Sequence, residues 1–180
     1  MVLHEKRVDF EVREVDLSNK SEEFLAASPT GKVPVVVMDG DSLYESNVIN
    51  QYLDEVTGEP KLMPEDPKRK AYARIWMAFS DTSFFPAMFV ASIGRDRGFS
   101  EEQVSEAFEK LNTALGKLEE RLKDRVYLAD EFSLADIAHA GAFVGLRNLE
   151  ERGEISLDEY PNVTTWIRRL ESRESYKASA

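Results

Sequence analysis

Glu45 and Ser46 stand just ahead of Val48, Ile49, Tyr52 and Leu53, whose helical spacing puts the pair at a helix start. The first turn of a helix has unpaired N–H groups and the positive end of the helix dipole. It can therefore receive a carboxylate, and a serine hydroxyl there adds one more donor. Upstream, Lys32-Val33-Pro34 leads into an apolar run, Val35-Val36-Val37-Met38, that stops at Asp39-Gly40. Pro34 cannot donate to a sheet ladder, so a strand entered this way needs a reason. One reason is a cis Val33-Pro34 bond, which turns the backbone of Val33 outward as an edge for pairing. Taken singly, Ser46 also reads as a plain N-cap and Pro34 as an edge-strand proline.

The elements that must hold these residues follow from the same stretch. Asp39-Gly40 between apolar residues is a hairpin signal, so a strand, a tight turn and a short second strand lead into the helix. Before the hairpin, residues 1–6 read as the end of an amphipathic helix. Residues 8–15 alternate apolar and polar over most of their length, which predicts a half-buried strand. Residues 21–27 make a short helix, closed by Ser28-Pro29-Thr30-Gly31. Residues 57–67 are rich in Gly, Pro and acidic side chains and read as a linker, with Pro67 as a first-turn residue of the next helix.

From Lys68 onward the pattern is helical. Ala71, Tyr72, Ile75, Trp76 and Phe79 form one broad apolar face, and Pro86 kinks or ends the helix that carries Phe84-Phe85-Pro86-Ala87-Met88-Phe89-Val90. Ser100 and Gln103 form a capping box ahead of a long seam of Val104, Phe108, Leu111, Leu115, Leu118 and Leu122. Ser133 and Asp136 form a second box, with Phe132 placed to staple onto Ile137. That helix is expected to run through Val144 and Leu146 to Gly153. Tyr160-Pro161-Asn162 opens a last one, and residues 172–180 are a polar tail expected to fray.

Composition excludes several chemistries. The 180 residues carry a net charge of −11, which disfavours a phosphate backbone as partner, and Lys68-Arg69-Lys70 lies beside Glu65 and Asp66. With no cysteine there is no disulfide, thiolate metal site or cysteine nucleophile. His4 and His139 are too few and too far apart in sequence to build a metal site or a triad. No signal peptide or long apolar span is present, which makes the cytoplasm the expected compartment and leaves no membrane role.

Lys32-Val33-Pro34, the hairpin, Tyr44-Glu45-Ser46-Asn47-Val48-Ile49 and the Ser133–Asp136 box together resemble the glutathione S-transferase family over essentially the whole chain. The resemblance implies a thioredoxin-like α/β domain over residues 1–56, without the fold's first strand, then the linker 57–67 and an all-α bundle over 68–180. It implies glutathione as co-substrate. The backbone of Val33, held by the cis Pro34, would pair with the cysteinyl unit. Glu45 and Ser46 would hold the γ-glutamyl end, and Lys32 would reach the glycyl carboxylate. Phe84, Phe85 and Met88 would line a pocket for an apolar electrophile, although such aromatic stretches also serve as core or subunit interface.

In this family a first strand and a loop with the catalytic Ser, Tyr or Cys precede the opening helix. Neither is among these residues, so no catalytic residue is assigned. Without that strand, residues 10–15 have no sheet neighbour and the strand of Val35–Val37 keeps an open edge. A homodimer is expected, as complete family members are dimers. A non-catalytic role also stays open, since residues 62–64, 130–134 and 173–176 are similar to stringent starvation protein A, which binds bacterial RNA polymerase. A third reading is a shortened paralogue that only pairs with a full-length partner.

Overall fold

The computed structural model describes residues 1–179, which divide into two compact units, residues 1–61 and the residues from Leu62 on. The first unit opens with helix α1 (Val2–Glu5) and continues to α2 (Glu22–Ala27), whose N-cap Ser21 accepts the Phe24 N–H. Strands β1 (Val35–Met38) and β2 (Asp41–Tyr44) form an antiparallel hairpin with Val35 opposite Tyr44 and Met38 opposite Asp41. Asp39 and Gly40 both have positive φ, 53° and 90°, as a two-residue turn between right-twisted strands requires. Helix α3 (Ser46–Val56) follows at once and buries Ile49 and Leu53.

Residues 8–15 depart from the expected strand. They join no ladder among the described residues, and Phe10 and Val12 are 42% and 73% exposed. Alternation reports which face of a strand would be buried, but a strand exists only where a neighbour supplies N–H and C=O groups. Among the described residues the sheet is the hairpin alone.

The second unit is helical. Helix α4 (Pro67–Phe79) starts with Pro67 in its first turn and Asp66 accepting the Arg69 N–H. A π-helical turn, Ser80–Phe84, joins it to α5 (Phe85–Ile93). Pro86 has no N–H to offer a preceding carbonyl, and just upstream the widened turn carries the Phe85 N–H back to Ser80 O. The buried Ser80 hydroxyl donates to Ala138 O at 2.8 Å.

Helix α6 (Glu101–Leu122) begins with the Ser100–Gln103 box and buries Val104, Ala107, Leu111, Ala114, Leu115, Leu118 and Leu122. Ala107 takes the inward place, while Phe108 is half-buried. The Ser133–Asp136 box starts α7 (Leu134–Ala140), and a turn at Gly141-Ala142 separates it from α8 (Phe143–Glu151), so the expected single helix is two. Helix α9 (Pro161–Glu171) buries Val163, Trp166, Ile167 and Leu170. The expected polar tail instead forms a further turn, α10 (Glu174–Lys177), with Ser175 buried and Tyr176 6.2 Å from the Phe143 ring. No described helix is long and apolar enough to cross a membrane.

Candidate functional site

The terminal register pair of the hairpin, Val35 with Tyr44, fixes the site's layout. Val33-Pro34 precedes one member and Glu45-Ser46 follows the other, so both segments flank the same end of the hairpin. The Val33-Pro34 bond is cis. Lys32, Val33, Pro34, Glu45 and Ser46 are all exposed, with Val33 at 49%.

Glu45 occupies the N-cap position of α3 with φ 69° and ψ 108°, and Ser46 is the first helical residue rather than the cap. That backbone geometry is strained for a residue with a Cβ, a cost of about 1–3 kcal/mol that the surroundings must offset. Strain of this kind gathers at binding sites. No side-chain cap bond is made at the helix start, and the exposed Ser46 stands beside its positive end.

Two supporting features carry no short-range signature. Buried Ser28 donates to Lys32 O at 2.8 Å and accepts the Lys32 N–H at 3.2 Å, which fixes the backbone entering Val33. Its only hint is the Ser-Pro-Thr-Gly turn. At the far end of α3, Lys6 Nζ bonds Asp54 Oδ1, Gly58 O and Pro60 O at 2.8, 2.7 and 2.7 Å. A charged residue one position after the buried Leu53 was the one available signal for it.

In the helical unit Phe84 is fully buried and Met88 nearly so, while Phe85 is 40% exposed and stacks on Phe89 with centroids 6.4 Å apart. A cavity in this unit, about 690 Å³, is lined by residues that include Phe79, Pro86, Val90, Phe99, Ala107 and Lys117, and by none of Phe84, Phe85 or Met88.

The buried ionisable groups of this unit are structural. Asp136 accepts N–H groups from Leu128, Ser133 and the Trp166 indole at 3.1, 3.0 and 2.8 Å. Burial nevertheless dominates and lifts its carboxyl to about 6. His139 Nδ1 lies 2.8 Å from Ala135 O; a carbonyl only accepts, so Nδ1 carries the proton. Its Nε2 is buried without a partner among the Phe84, Phe79 and Trp166 rings, and desolvation lowers its pKa to about 4.

The family model "Glutathione S-transferase, N-terminal domain" matches residues 1–61, and "Glutathione S-transferase, C-terminal domain" matches residues 82–174. Glutathione S-transferase U26 of Arabidopsis thaliana is 34% identical over 181 residues, spanning 97% of this chain and 79% of its own. Among solved structures, a Methylobacillus flagellatus glutathione S-transferase with GSH bound aligns at TM-score 0.84 and 31% identity, covering 99% of this chain and 90% of that one. Glutathione transferase F7 of Populus trichocarpa aligns at TM-score 0.84 and 30% identity, covering 98% and 88%. With both units matched in order, and the hairpin and both helix-capping boxes in place, the chain belongs to the glutathione S-transferase family.

Proposed function

We propose that this protein binds glutathione at the hairpin end shared by Val33-Pro34 and Glu45-Ser46, and that it joins the glutathione sulfur to an apolar electrophile. The observation that carries the reading is the Val35–Tyr44 register, because it gathers an exposed backbone edge and an uncapped helix start in one place. The γ-glutamyl carboxylate takes the first-turn N–H groups of α3 and the Ser46 hydroxyl, and its ammonium takes Glu45. Val33 N–H and C=O pair with the cysteinyl unit, and Lys32 faces the glycyl carboxylate. Support from relatives is the similar Methylobacillus protein, whose structure holds GSH.

In conjugation the thiol loses its proton to solvent, the thiolate attacks an electrophilic carbon, and a C–S bond forms as a leaving group departs or a neighbouring atom takes up a proton. The residues assigned here bind and orient glutathione. For the second substrate, exposed Phe85 is the contact, with Phe84 and Met88 buried behind it. The working form we infer is a cytoplasmic homodimer.

Calorimetric titration of the full chain with glutathione tests the binding reading. Saturable binding that weakens at least fivefold in Ser46→Ala is the expected result. Absence of binding at millimolar glutathione rules it out, and the polymerase-binding reading then takes precedence.

A further inference from the structure

Helix α3 presents its site at one end and is fixed at the other. The N-terminal end has no side-chain cap bond and follows β2 after the single residue Glu45. Side chains fix the opposite end. Lys6, just after α1, spends all three ammonium protons on Asp54 of α3 and on the carbonyls of Gly58 and Pro60. Both side chains are out of solvent, at 0% and 4% exposure. Lys61 adds bonds from its own Nζ to Asp54 O and Thr57 O at 2.9 and 3.1 Å, so two cations close the negative end of the helix.

We propose that the Lys6–Asp54 clamp is a positioning device for the glutathione site, holding α3 along its axis so that Ser46 keeps the place against Val33 that the hairpin register gives it. The proposal rests on the glutathione reading given above. Asp54 and Ser46 are eight residues apart, about 12 Å along the axis, and a helix of this length transmits a shift at one end to the other. A buried ion pair suits this task better than an apolar contact, because its bonds tolerate little displacement and an apolar surface can slide.

The test uses the full chain carrying Asp54→Asn, which keeps shape and an acceptor, and the double variant Lys6→Met/Asp54→Leu, which removes both charges together. Melting temperature, glutathione affinity and the amide shifts of Ser46 and Asn47 are read for each. Glutathione is expected to bind several-fold more weakly in Asp54→Asn and about tenfold more weakly in the double variant, with both amides shifted, even where melting temperature is regained. Wild-type affinity in either folded variant overturns the clamp's role, whatever melting temperature does. If the unsubstituted protein itself fails to bind glutathione, the site reading falls, and the proposal with it.

Discussion

The Trp166 indole N–H donates to Asp136 Oδ1 at 2.8 Å, in a place where Asp136 has no access to solvent. This one bond ties the middle of α9 to the first turn of α7, and the same carboxylate also takes the N–H groups of Leu128 and Ser133. Asp136→Ala would leave three buried N–H donors without a partner. The expected loss is about 3–5 kcal/mol, measured by urea unfolding; a loss under 1 kcal/mol would contradict the picture.

Glu119 on α6 does for α9 what a local cap does elsewhere. Tyr160 offers α9 no side-chain cap, and the Glu119 carboxylate instead accepts the Asn162 N–H at 3.0–3.1 Å and the Val163 N–H at 2.9 Å. Glu119→Ala is expected to cost about 1–2 kcal/mol in guanidinium unfolding. Glu120→Ala, one position along, is the matched control and should stay near wild type.

His139 and Asp136 bend the stability curve in opposite directions. The folded state holds His139 neutral down to about pH 4, whereas the unfolded residue takes a proton near 6.5, so its contribution is full above 6.5 and is lost as pH falls toward 4. Asp136, raised to about 6, holds its proton in the folded state where the unfolded residue has lost it, so its contribution is largest below 3.8 and declines as pH rises through 6. The two partly offset between pH 4 and 6. His139→Phe removes only the first, and its melting temperature relative to wild type should rise steadily on acidification from pH 7 to 4.5.

Much of this architecture was legible beforehand, because it rests on local chemistry. Asp39-Gly40 specifies its turn through positive φ, and the Ser100–Gln103 and Ser133–Asp136 boxes specify two helix starts through bonds three residues apart. The strand expected at residues 8–15 failed because its pattern says nothing about a partner. Phe84 and Met88 turn inward, the core packing that the aromatic stretch also allowed, while Phe85 stays 40% exposed. Lys6 and Asp54 lie 48 positions apart, beyond the reach of any periodicity.

Backbone strain at Glu45 predicts an opposition between stability and binding. Glu45→Gly relieves about 1–3 kcal/mol of strain against a glycine cost of about 0.5–1 kcal/mol, so the variant should be more stable by about 1 kcal/mol. It also deletes the carboxylate proposed for the γ-glutamyl ammonium. Thermal unfolding should therefore move up while glutathione affinity falls.

The central claim is that glutathione sits where Val33-Pro34 and Glu45-Ser46 meet. An amide NMR titration of the full chain with glutathione tests it most directly. Saturable shifts concentrated at Val33, Ser46, Asn47 and Val48 are expected, with the helical-unit amides of Leu111, Leu115 and Leu118 unmoved. Shifts that avoid the hairpin end, or none at millimolar glutathione, would contradict it.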